Sequence, residues 1–408
     1  MGRRVVEYWW LVGPMVVLLY AVGRQMIGLE FLTSLSEDPA LFYYSGRQWV
    51  QAGRVPYRHL WDVKPPLVHE VTALFALVTG GDVVSMHAMG VSLNIGALLS
   101  AILGGMLAVK RMTGSKLAAF TTGMSTLGVP VMFRKLFTGF QPKYLFVFLL
   151  ALLLLAGAER RWLPAAIAAA LTAAIWQPGL LLVLLVLVTI EWYGRTGLVS
   201  ARERNRAGLA VVGVAVLVAF PIVVGNALPE MLVQTVGTPL VTADGGGDLS
   251  ALLERTHPVL AIVGLLGALG FGFQSSHRTR WWPAAVLVGF GLLAIRGDLD
   301  GAPDLIPISL AVAVSVGLAV HVATPDKSRS LLRDGRVWLV AVVGVVVWMQ
   351  GLPDFGVSGF GNMARLFVSG EIVPRCHIRL STPERRMMEF VGANPEARTC
   401  WRPAWWPG

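Results

Sequence analysis

Residues 37–70 read EDPALFYYSGRQWVQAGRVPYRHLWDVKPPLVHE, and the placement of this stretch decides the rest of the chain. It sets acids, bases, aromatics and prolines between two apolar runs. An acidic pair, Glu37 and Asp38, opens it, and a Gly-x-x-Pro-Tyr turn breaks it at residues 53–57. Trp61, Asp62, Val63, Lys64, Pro65 and Pro66 close it. The run that follows, 67–80, is apolar but short against the roughly 20 residues a helix needs to cross a bilayer. Its length suits a helix lying at the interface. Charge supports that placement. With 67–80 at the interface and the N-terminus inside, Arg3, Arg4, Lys110, Arg111, Lys116, Arg160, Arg161 and Arg195 fall on one side. So do Arg202, Arg204, Arg206, Arg278, Arg280, Lys327, Arg329, Arg333 and Arg336, as the positive-inside rule expects. A crossing at 67–80 would invert every cluster after it.

Working outward, the chain of 408 residues is 55% hydrophobic and 14% charged, with a mean hydropathy of +0.64. Soluble domains carry about 25% charged residues, so the composition reads as an integral membrane protein built of helices. The net charge of +10 does not indicate nucleic acid, because the basic residues sit in short clusters between apolar runs. Eleven spans are expected, near 6–28, 83–109, 117–133, 144–158, 162–176, 179–193, 208–225, 258–274, 282–295, 305–323 and 337–351. The first is expected to be a span rather than a cleaved signal, since the apolar run after Arg4 is too long for one. The expected organisation is an all-α membrane domain over 1–351, with 29–82 as its first outer loop, and a small outer tail over 352–408.

The first outer loop holds the residues suited to chemistry. Asp38 follows the first span directly, where partial desolvation would let its carboxylate act as a general base, with Glu37 orienting it or sharing its proton. The structural alternative makes Asp38 the N-cap of a helix with Pro39 at its first position. Tyr44 and Tyr57 offer faces for a sugar or belong to an aromatic belt. Arg58 and Lys64 place cations near the depth of lipid phosphates, where they can neutralise a phosphate leaving group or bind bulk headgroups. Pro65 and Pro66 extend the chain and would hold Asp62 and Lys64 rigid. On the same side, Lys143 stands against the positive-inside trend and is a further phosphate candidate, or else a snorkelling anchor.

Together these residues resemble the first external loop of the GT-C glycosyltransferases, whose donors are polyprenyl-phosphate sugars. The frame Gly53 to Tyr57 and Trp61 to Leu67 looks like the clan of protein O-mannosyltransferases and lipid A aminoarabinose transferases. It is most similar to the haloarchaeal dolichyl-phosphate-mannose mannosyltransferases, where the tail segment Cys376-His377-Ile378-Arg379-Leu380-Ser381 also has a counterpart. The resemblance implies a GT-C fold and transfer of a hexose, mannose first, to an acceptor hydroxyl of a glycan, lipid-linked or protein acceptor, with inversion. It implies Asp38 as base, Glu37 as substitute, and Lys64, Arg58 and Lys143 at the donor phosphate. Tyr44, Tyr57, Asp62, His69 and Asp300 are carried as substrate-binding candidates.

Asp298 and Asp300 form an Asp-x-Asp that would suit magnesium or manganese, though a solvated turn explains it as well. Cys376 and Cys400, the two cysteines, share the tail and form a disulfide if it faces an oxidising space, or stand as unrelated thiols. No phosphate-cradling Gly-rich loop, nucleophile elbow or dinucleotide fingerprint is present. The rival class is a transporter or flippase of lipid-linked sugars, which would place ionisable residues at mid-membrane and show two related halves.

Overall fold

The computed structural model describes residues 8–27, 35–129, 131–238, 258–274, 285–286, 288–289 and 304–324. The described residues are helical, without strands. α1 (Trp9–Ile27) precedes a hairpin of α2 (Glu37–Ala52) and α3 (Pro66–Thr79). α4 (Val83–Thr113), α5 (Lys116–Leu127), the single turn α6 (Val131–Arg134), α7 (Pro142–Ala158), α8 (Trp162–Ile175) and α9 (Gly179–Arg195) follow. α10 (Ala201–Val224), the short α11 (Leu228–Leu232) with a π-turn at Val233–Gly237, α12 (Pro258–Gln274) and α13 (Leu305–Ala323) complete the order.

The expected apolar segments inside the described residues are helices. By length and composition, α4, α10 and α13 are long and apolar enough to cross a membrane, while the apolar stretches of α1 (Trp9–Tyr20), α3, α7, α8 and α12 are shorter. Segments 282–295 and 337–351 and the tail lie wholly or largely outside the described residues.

Local chemistry sets the helix ends. Asp82 starts α4 by accepting the Ser85 N–H at 2.8 Å. A reciprocal capping box between Ser200 and Glu203 starts α10. Pro66 occupies the first turn of α3, where its missing N–H costs nothing. α2 ends in a left-handed Gly53, with the Arg54 N–H returning to the Gln48 carbonyl at 3.1 Å.

Most of the core among the described residues is one large apolar cluster, with smaller ones around Tyr57 and Tyr44. α4 packs on α7 and α5, α13 on α12 and α5, α8 on α7, α9 and α10, and α2 on α3. Trp10, Tyr43, Phe133, Phe140, Tyr144 and Phe146 are fully buried within it. Close approach at α4 is made possible by Gly90, where a Cβ would meet the Tyr43 hydroxyl and lie 2.7 Å from the Phe140 nitrogen. This contact brings the loop before α7 onto α2 and α4, and so builds one wall of the site.

Candidate active site

A cleft opens where the first turns of α2 and α7 meet the last residues of α8. Asp38, Phe42, Lys64, Gln141, Pro142, Lys143, Ile175 and Trp176 line it. The positive ends of the α2 and α7 dipoles converge there, which favours an anion. Three of the predicted site residues, Asp38, Lys64 and Lys143, are thus brought together.

Asp38 is held by the α2 start. Ser36, not Asp38, is the N-cap residue, so Asp38 sits in the first turn with its side chain exposed. The reason is tertiary. Ser36 N–H donates to the Thr138 carbonyl at 3.0 Å, and Gln141 Nε2 reaches Ser36 Oγ and Thr138 Oγ1, both at 3.3 Å. Behind this clasp, buried Asn94 in α4 donates to the carbonyls of Leu136 and Gly139 at 3.0 and 2.6 Å. It also accepts the Gln141 N–H at 3.1 Å. Tyr43 accepts the Phe140 N–H at 2.6 Å. Gly139 has φ +104, and a Cβ there would lie 2.6 Å from Pro39, so the loop lies flat on the α2 start. One connected clasp therefore sets both Asp38 and Lys143.

Lys64 is placed by a second network, made from the motif at 53–66. Tyr57 adopts φ +69, and its hydroxyl donates to the Lys64 carbonyl at 2.6 Å. Asp62 Oδ1 accepts the Lys64 N–H at 2.9 Å. Gln234, from the π-turn after α11, accepts the Asp62 N–H at 3.0 Å and donates to the Tyr57 carbonyl at 2.7 Å. Gln177 Nε2 donates to the Val63 carbonyl. Below lies His69, fully buried, with Nδ1 3.0 Å from Ser45 Oγ and Nε2 3.5 Å from Asp62 Oδ2. Burial pushes the His69 imidazole below its usual range against the pull of Asp62. Burial, with the charges of Asp62 and Glu70, pushes the Tyr57 phenol up, so it stays a donor.

Lys143 is largely enclosed, with 13% of its side chain exposed. It forms an ion pair with Asp304 at the start of α13 and lies 5.4 Å from the Trp176 ring centre. Lys64 and Asp38 act on it as neighbouring charges of opposite effect.

The other candidates are placed elsewhere. Arg58 is exposed and reaches the Gly225 carbonyl at 3.5 Å. Tyr44 is buried against Leu60 and Val83. Tyr57, Asp62 and His69 stand behind Lys64 rather than lining the cleft. Glu37 is the first residue of α2. Asp300, Cys376 and Cys400 lie outside the described residues. Among the described residues no group of three His, Cys, Asp or Glu is arranged to hold a metal ion. Sequence reasoning missed Asn94, Gln141, Gln177 and Gln234. Asn94 carried a signal, as an amide in the middle of an apolar span; the glutamines carried none.

Comparison with known proteins places this geometry. Residues 53–225 match the family model described as DolP-mannose mannosyltransferase, a range that contains Lys64, Lys143 and Trp176 and leaves Asp38 just outside. A dolichol phosphate-mannose mannosyltransferase of Haloferax volcanii is 29% identical over 355 residues, covering 83% of this chain and 74% of that protein. In fold the chain is similar to ArnT of Cupriavidus metallidurans bound to undecaprenyl phosphate, with TM-score 0.54 and 18% identity over 85% of this chain and 66% of that one. It is also similar to the archaeal oligosaccharyltransferase AglB of Archaeoglobus fulgidus, in complex with an inhibitory peptide and a dolichol-phosphate. There the TM-score is 0.55 and the identity 11%, over 99% of this chain and 62% of that one. The chain thus spans less than two thirds of either solved neighbour.

Proposed function

We propose that this chain, a GT-C glycosyltransferase related to the dolichyl-phosphate-mannose mannosyltransferases, moves a hexose from a polyprenyl-phosphate carrier to an acceptor hydroxyl, with Asp38 as general base. The sugar is mannose, and the acceptor a glycan. One observation carries the reading: a carboxylate and two ammonium groups share one cleft whose apolar wall includes Phe42, Ile175 and Trp176.

The step balances on those residues. The acceptor oxygen attacks the anomeric carbon as its proton passes to Asp38, and the bond from that carbon to the phosphate oxygen breaks. The electron pair leaves on the phosphate, so a singly charged diester becomes a doubly charged monoester while Asp38 becomes neutral. Net charge in the cleft is conserved, and Lys64 and Lys143 take up the new charge on phosphate. No proton need reach the leaving group. Attack from the face opposite the phosphate inverts the anomeric centre.

The apolar wall suits the first isoprene units of the lipid, and Trp176 suits a sugar face. The topology we propose has eleven spans, a cytoplasmic N-terminus, and the cleft and tail on the outer side. It rests on the charge bias of the loops.

The test is transfer by purified protein from radiolabelled dolichyl-phosphate mannose to a glycan acceptor, followed by determination of the new anomeric configuration. A new, inverted glycosidic bond is expected. Movement of intact lipid-linked sugar without bond formation would replace the enzyme reading by that of a carrier.

A further inference from the structure

Asp304 is the start residue of α13, a position from which aspartate ordinarily caps its own helix. Here its side chain makes no capping hydrogen bond. The carboxylate instead pairs with Lys143, and both side chains are largely enclosed, at 11% and 13% exposure. α13 itself is held by packing on α5, α4, α7 and α12, so Asp304 is delivered to Lys143, at the cleft's edge, by a rigid element far along the chain. Asp304 lies beyond the family match, which ends at residue 225.

Two consequences follow from elementary electrostatics. A lysine ammonium buried in a poorly solvated cleft, near a second lysine, is disfavoured unless a carboxylate faces it. Asp304 supplies that carboxylate from the rigid side, while Asp38 acts from the exposed side. Lysine is also a point charge on a flexible stem, and one partner fixes its direction while two of its three N–H bonds stay available for phosphate. At the same time a carboxylate and a phosphate in contact with one ammonium repel each other. Asp304 thereby weakens the grip on a dianionic product more than on a monoanionic donor.

We propose that Asp304 is a positioning residue of the transfer site: it keeps Lys143 aimed into the cleft and eases release of the lipid monophosphate. This rests on the glycosyltransferase reading of the same cleft. The step it modulates needs no further reactant, because the proton still goes to Asp38 and the electron pair to phosphate.

The experiment compares wild type, Asp304→Asn and Asp304→Glu, purified in detergent, for binding of undecaprenyl monophosphate against undecaprenol across pH 6 to 9. Transfer is measured in parallel. Asp304→Asn is expected to bind the monophosphate about tenfold more tightly near pH 7.5, where the monoester is a dianion, and to show correspondingly stronger product inhibition. Toward pH 9, where the phosphate's charge no longer changes, that affinity is expected to fall more steeply than the wild type's, because Lys143 has lost the carboxylate that favours its charge. Asp304→Glu should restore wild-type release within a few-fold, which a mere packing role would not do. Unchanged affinity and inhibition in Asp304→Asn, or weaker binding, overturns the proposal. Should wild type fail to prefer the monophosphate over the alcohol, the glycosyltransferase reading itself is at fault.

Discussion

Two clasps feed the same cleft, and they are built differently. The first ties Ser36, Tyr43 and Asn94 to the loop before α7, and most of its bonds end on backbone groups of residues 136–141. It carries Asp38 and Lys143 together. The second ties Tyr57, Asp62 and Lys64 to Gln177 and Gln234, long side chains from distant turns, and carries Lys64 alone. The contrast teaches a division of labour. Loosening the first clasp moves Asp38 and Lys143 at once, whereas loosening the second moves Lys64 alone. The first should therefore control turnover, and the second the handling of phosphate.

Substitutions can break or sharpen that contrast. The largest effect is expected at the proposed base: Asp38→Asn should lower kcat about 10²- to 10⁴-fold without weakening binding of a polyprenyl monophosphate. Single-turnover transfer and a lipid-binding assay on the same preparation check this. Next, Lys64→Ala should lower kcat/KM about 10²-fold, the scale of losing one donor to a developing anion, and should weaken monophosphate binding as well. A binding constant equal to wild type would remove Lys64 from the phosphate site.

Asn94→Ala strips three hydrogen bonds from a buried loop and is expected to cost about 2–3 kcal/mol of stability, with kcat falling more than KM rises. Gln234→Ala, on the second clasp, should raise KM more than it lowers kcat. Equal behaviour of these two variants would erase the distinction. Thermal denaturation in detergent and steady-state kinetics supply both readings.

The smallest effect concerns Glu70, below the second clasp. Burial pushes its carboxyl up to about 7, and one of its oxygens has no hydrogen-bond partner. A carboxyl whose native value is raised binds more protons folded than unfolded. Stability should therefore decline as pH rises from the ordinary carboxylate range through about 7. Glu70→Gln should remove this dependence and stabilise the protein at pH 8 by on the order of 1 kcal/mol, measured as a melting shift that vanishes near pH 4.

Much of the helical architecture was legible because apolar length is local and additive. The hairpin ends at Gly53 and Pro66, and the break at Gln177-Pro178-Gly179 before α9, follow from turn chemistry alone. The charged trio of the cleft was legible too, since an acid just after an apolar run and a lysine against the charge trend stand out in sequence. What the residues did not disclose was their division into those that touch the cleft and those that hold others there. Asp62 and His69 look like ligands in the chain and stand behind the cleft in the fold, where they meet Gln234 and Ser45, which nothing in the sequence singles out. Arg58 reads like Lys64 at a distance of six residues, yet the left-handed turn at Tyr57 sends one to the Gly225 carbonyl and the other to the cleft.

The most direct measurement is an experimental structure of the protein with a polyprenyl monophosphate bound. The phosphate is expected between the ammonium groups of Lys64 and Lys143, with the lipid leaving along Phe42 and Ile175 and the Asp38 carboxylate facing the space where the sugar would sit. A phosphate seated on the exposed arginines of the 53–58 turn, with Asp38 directed away from it, would contradict the account.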